Sequence, residues 1–176
     1  MKLRFIALIV GFLMLNCCSS EKVEYYSNTS PKMDLKEYFD GSIKAWGVVQ
    51  DWRGRVVSKF DVKMNAKWQG DEGTLEENFL YYENAKEQKR IWHIKKLADN
   101  KYQGSADDII NIAEGKQSGS AMNWKYAMDL EVDGKKYRVK FDDWMWLMND
   151  GVLINRSYIK KFGITVAELT IFMKKG

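Results

Sequence analysis

The sequence predicts an all-β domain closed into an antiparallel up-and-down barrel, with a two-sheet β-sandwich as the alternative. Three observations carry this. No long 3.6-residue apolar rhythm occurs after residue 39; runs of eight to twelve residues alternate with a period of two; and turn residues punctuate those runs. Eight or nine such strands in about 140 residues imply closure, because an open sheet of that length would leave unprotected edges.

The first seventeen residues read as processing information. Lys2 and Arg4 form a charged n-region, and Phe5 to Leu15 form an apolar stretch too short to span a bilayer, which needs about 20 residues. Leu15-Asn16-Cys17-Cys18-Ser19-Ser20 resembles a lipobox, with Leu15 and Cys17 in the required positions for acylation at Cys18. Asn16 makes Cys17 the poorer acceptor. Two or more acyl chains are needed for a stable anchor, and lipobox processing supplies them. Ser19 after the cysteine resembles the pattern of lipoproteins sent to the outer membrane, facing the periplasm. Removing 17 of 176 residues leaves 159, enough for one core. It also removes Lys2 and Arg4 from the 28 basic residues, leaving 26 against 24 acidic ones. That balance gives no field for nucleic acid. The expected domains are a signal peptide over 1–17, a lipidated cysteine and flexible tether over 18–32, and a single barrel over 33–176.

Asp34 to Phe39 fits one short helical turn, with Met33 and Leu35 available for packing. The breaks that follow are Asp51 to Gly54, Gln69 to Gly73, Asn84 to Glu87, Asp99-Asn100, Gly115 to Gly119, Asp133-Gly134 and Asn149 to Gly151. Asp133-Gly134 between two alternating runs is the strongest hairpin signal. In 56–68 the even positions Val56, Phe60, Val62, Met64, Ala66 and Trp68 form the apolar face; in 122–132 the even set runs from Met122 through Trp124 and Tyr126 to Val132.

From Phe39 onward the chain resembles a family of proteobacterial lipoproteins of unknown function, DUF3833. The matching stretches include Phe39-Asp40-Gly41, Ala45-Trp46-Gly47, Thr74 to Phe79, Arg90-Ile91-Trp92, Tyr102 to Asp108, Asn123 to Tyr126, Phe141 to Met145 and Lys161-Phe162-Gly163. Glu83-Asn84-Ala85 departs from the family's acidic-glycine turn. The resemblance implies an envelope lipoprotein with a lipocalin-like fold. It brings no assigned activity.

Charges that interrupt apolar faces single out candidate site residues. Asp143 shares the odd face of 137–147 with Val139, Phe141 and Met145; Arg156 shares the even face of 152–158 with Val152, Ile154 and Tyr158; Arg90 lies with Trp92 and Ile94. An unpaired buried charge costs several kcal/mol, so Asp143 is expected to pair with Arg156 or Arg90 inside the barrel. One reading is a structural ion pair. In lipocalin-like barrels a late-strand arginine packs over an early-strand tryptophan, and Arg156 with Trp46 fits that role. The other reading makes an arginine the headgroup anchor of an anionic amphiphile lying along Phe60, Trp92, Trp124 and Met145. One aspartate against two arginines leaves a spare positive charge for a carboxylate or phosphate, unless Glu168 or Asp108 cancels it. The candidate ligand-binding residues are therefore Arg90, Trp92, Trp124, Asp143 and Arg156.

Trp144 and Trp146 are expected to face outward, as a docking patch for an envelope protein, a membrane contact, or a face covered by the N-terminal segment. His93 lies with Ile91 and Lys95, without a second histidine for a metal site. Asp107-Asp108 and Asp142-Asp143, as strand neighbours, point to opposite faces unless a bulge intervenes. No nucleophile or phosphate-loop motif occurs, so no catalytic residue, metal or cofactor is assigned. Binding of a lipid or other hydrophobic molecule is the leading expectation. An assembly role comes next, and a lipid-acting enzyme last.

Overall fold

The computed structural model describes residues 22–132 and 134–176; the leader, Cys18 and Asp133 lie outside the described residues. Ten antiparallel strands run in chain order: β1 Gly41–Asp51, β2 Val56–Gln69, β3 Glu72–Tyr81, β4 Glu87–Lys96, β5 Lys101–Ser105, β6 Ile109–Ser118, β7 Ala121–Val132, β8 Lys135–Leu147, β9 Val152–Lys161 and β10 Ile164–Lys175. Each pairs with its sequence neighbours, and β10 closes on β1 from Ile43↔Lys175 to Asp51↔Ala167. The result is a closed up-and-down barrel rather than a sandwich. It has more strands than the sequence breaks suggest, because two short turns carry no strong turn signal: residues 106–108, and Phe162-Gly163.

The alternating runs face inward as their periodicity predicts. Phe60, Val62, Met64 and Ala66 of β2, Met122, Trp124 and Met128 of β7, and Val139, Phe141 and Met145 of β8 are all buried. The Gly115–Gly119 break is shifted. Gly115 lies within β6, and a Cβ there would sit 2.1 Å from the Trp124 ring. The glycine is a seat for a tryptophan, as strand glycines commonly are. Only Gly119 turns the chain, with φ of +55°.

One end of the barrel is plugged. The helical turn α1, Leu35–Tyr38, is capped by Asp34, whose side chain accepts from the Glu37 amide. Leu35 and Phe39 are buried in the barrel core. Phe39 O accepts from Trp68 Nε1 at 3.0 Å, and the Leu35 amide donates to Gln117 Oε1 at 3.0 Å. The opposite end, the mouth, carries the hairpin tips β1–β2, β3–β4, β5–β6, β7–β8 and β9–β10.

The expected tether is ordered from Lys22 on. A 3-10 turn, Val23–Tyr26, lays Val23 against Ala121 and Trp144 on the outer wall. The strap is pinned by Thr29 Oγ1 to Ser120 and by the Met33 amide donating to Gly119 O at 2.7 Å. Trp144 and Trp146 do face outward, stacked 6.3 Å apart, and Tyr26 covers them. The covered-face alternative is thus the one the fold adopts.

Candidate functional site

Between the α1 plug and mid-barrel lies a cavity of about 110 Å³. Its wall is mostly apolar, including Met64, Leu75, Phe79, Trp92, Trp124 and Met145, with Glu77, Arg90, Asp143, Asn155 and Ser157 contributing the polar part. Strand register assembles this set. Glu77 of β3 sits opposite Arg90 of β4, Leu75 opposite Trp92, Trp124 of β7 opposite Asp143 of β8, and Asp143 opposite Ser157 of β9. Trp92 and Trp124 meet edge to face at 5.9 Å. Phe60 is not part of the wall; it packs toward the mouth against Phe79 and Tyr81.

Arg90 is fully engaged. Its Nε and Nη2 donate to the Asp108 carboxylate at 2.7–3.1 Å, and Nη1 lies 3.7 Å from Glu77 Oε2. Burial works against its charge, but Glu77, Tyr126 and Asp108 outweigh that and hold the guanidinium above its ordinary pKa. Burial pushes the Glu77 carboxyl up, against the pull of Arg90 and of Trp92 Nε1, which donates to Glu77 at 3.2 Å. Asp108 reaches inward from the turn between β5 and β6, so the Asp107-Asp108 pair lies in a turn and not on a strand.

Asp143 is the least satisfied group. Its Oδ1 is buried with no hydrogen-bond partner. Ser157 Oγ, its cross-strand neighbour, bonds Asn155 Oδ1 at 3.2 Å. Burial lifts the Asp143 carboxyl to about 7, outweighing the nearby Ser157 and Tyr126 hydroxyls and the more distant Arg90. Asp142, one residue earlier, points outward and is held below its usual range, where burial is outweighed by Lys160 and Asn123.

The structure brings Arg90, Trp92, Trp124 and Asp143 together and leaves Arg156 out. Leu153, Asn155, Ser157 and Ile159 form the buried face of β9, so Arg156 stands on the outer wall, where it pairs with Glu168. No Asp143–Arg156 pair forms, and Trp46 packs outside against Phe172 rather than under an arginine. The even face of β9 is apolar because Tyr158 packs with Trp144 and Trp146 in the outer cluster. The spare interior charge also reverses sign. One arginine faces Glu77, Asp108 and Asp143, so the cavity offers no unpaired cation to a carboxylate or phosphate. His93 is exposed on the outer face, and no metal-ligating cluster occurs among the described residues. Sequence reasoning missed Asn155 and Ser157, whose polar character mimics a solvent face, and placed Tyr126 on the inner face without assigning it to the site.

A closed ten-stranded up-and-down barrel with a small interior cavity places this protein among lipocalin-like barrels. A sequence model of the family described as "Protein of unknown function (DUF3833)" matches residues 12–175. The chain belongs to that family. No curated protein matches it.

Proposed function

We propose that the barrel binds a small hydrophobic molecule, or the apolar end of a lipid, in the cavity beneath α1. The carrying observation is an apolar cavity walled by Trp92 and Trp124 that also borders an incompletely satisfied carboxyl, Asp143. A void of about 110 Å³ is smaller than a drug-sized pocket of about 300 Å³ or more. It is comparable to the engineered apolar cavity of about 150 Å³ that takes up benzene. The ligand portion inside is therefore ring-sized or a short chain. With no free cation in the wall, its polar tip is neutral or cationic, a hydroxyl, amide or amine that meets Asp143.

Tryptophan fluorescence titrated with a series of short alcohols, phenols and fatty acids tests this. Saturable change with the alcohols or phenols, and weaker response to the ionised acids, is expected. Leu75→Phe, which fills the cavity, should abolish the response. Absence of any saturable response, or its survival in Leu75→Phe, overturns the reading.

We further propose that the protein is an outer-membrane lipoprotein held through Cys18 and facing the periplasm. The Leu15-to-Ser20 segment supports this. Metabolic labelling with an alkynyl fatty acid should mark the wild type and not Cys18→Ala; equal labelling of both, or of neither, refutes it.

A further inference from the structure

The mouth-end hairpin tips expose apolar side chains that the cavity does not explain. Trp52 is 71% exposed, Ile164 70%, Phe162 93%, and Val56 and Val57 are also exposed. Among the described residues the turns of the plugged end expose one large apolar side chain, Met148. The pairing of β1 with β10, which ends at Asp51↔Ala167, sets the β1–β2 tip beside Ile164 and Val166, so these residues form one arc. Alternation fails here: the inward parity that buries Phe60 leaves Val56 in solvent.

Phe162 occupies a strained position. It has φ of +52° and precedes Gly163 at +81°, the two-residue turn that favours Asn-Gly or Gly-Gly. A bulky side chain at positive φ is an outlier that points to a role outside folding. The basic residues match. Over 51–59 and 160–167 the chain carries Arg53, Arg55, Lys59, Lys160 and Lys161 against Asp51, and Glu83 of the neighbouring β3–β4 tip adds a second carboxylate beside Lys59, accepting from its amide at 2.7 Å. Arg55 is held by Asp51 and Lys160 by Asp142, whereas Arg53 and Lys161 have no ion-pair partner among the described residues. Arg53 lies over the Trp52 ring at 4.5 Å, and Lys161 between Tyr137 at 4.3 Å and Phe162 at 5.5 Å. An aromatic ring with a cation beside it is the pairing that suits a lipid headgroup layer.

We propose that the β1–β2 and β9–β10 tips dock onto an anionic lipid bilayer, with Trp52, Phe162 and Ile164 entering the interface and Arg53 and Lys161 meeting the headgroup charge. The strap packs on the other half of the barrel, against Ala121 and Trp144, so this contact is separate from any tether at the N-terminus. It is also independent of whether the cavity holds a ligand.

Hydrogen exchange of the full chain, mixed with phosphatidylcholine vesicles or with vesicles rich in phosphatidylglycerol, tests the inference. Amides over 52–58 and 161–166 should exchange more slowly on the anionic vesicles, by roughly 25-fold, about fivefold for each unpaired cation. Residues 22–33 serve as an internal reference that should not respond. Arg53→Ala with Lys161→Ala should remove the difference between the two lipids, and Phe162→Asn with Trp52→Ser should remove the protection itself. Equal exchange with and without vesicles overturns the proposal. So does protection that rises with protein concentration in the absence of lipid, which would mark the tips as a contact between copies.

Discussion

Replacing Asp143 by asparagine should stabilise the protein at alkaline pH. The carboxyl ionises near pH 7 in the folded chain against an ordinary 3.8. Between those values the folded state keeps a proton that the unfolded chain has released. Stability is therefore greatest below the lower value, falls as pH rises across the window, and levels off above about pH 7. Raising the ionisation from 3.8 to about 7 corresponds to about 4 kcal/mol, an upper bound that relaxation around the site reduces. Asparagine has the same shape, carries no charge and can still bond to the Ser157 and Tyr126 hydroxyls. Urea unfolding followed by tryptophan fluorescence should show Asp143→Asn more stable by about 2–4 kcal/mol near pH 8, with the gain shrinking below about 1 kcal/mol near pH 4. Glu77, also raised by burial, is present in both proteins and cancels in the difference. A difference that does not vary with pH, or a less stable asparagine variant near pH 8, would refute the reasoning.

Removing the two arginines should have unequal effects. Arg90→Ala strands Glu77 and Asp108 and is expected to cost about 3–5 kcal/mol in urea unfolding. Arg156→Ala breaks a half-exposed outer pair and should cost under about 1 kcal/mol; similar losses for both would contradict their placement. Gly115→Ala drives a methyl into the Trp124 ring, which is itself packed against Trp92, and should lower stability by about 1–3 kcal/mol while shifting tryptophan emission. Trp144→Ala should cost about 3 kcal/mol and speed exchange of the Met33 amide, which bonds to Gly119; an unchanged Met33 exchange rate would mean the outer cluster does not hold the strap.

The barrel is legible in the sequence because a period of two marks the wall of a closed sheet wherever one face is wet. β2, β7 and β8 show it plainly, and parity alone places Asp143 and Arg90 inside. Parity misleads where both faces of a strand are covered. On β9 the outer face packs beside Trp144 and Trp146, so Val152, Ile154 and Tyr158 look like the core, and the small polar pair Asn155 and Ser157 looks like solvent. That single parity error moves Arg156 inside and gives the interior the wrong charge. Glycine misleads for a related reason: in a strand it serves a facing ring, as Gly115 serves Trp124, and only the packing distinguishes that from a turn. Asp108 and Glu168 are legible only as possible partners of an arginine, because a turn residue has no parity and strand alternation does not say which arginine each one meets.

The N-terminal strap has a mechanical consequence. A force applied ahead of Lys22 does not reach β1 first. It loads the Val23–Trp144 contact and the Thr29–Ser120 and Met33–Gly119 bonds, which spread it sideways across three neighbouring strands. Unzipping from the first strand would begin only after that clasp had given way, so the molecule can be tugged at its leading end while its sealed wall stays intact.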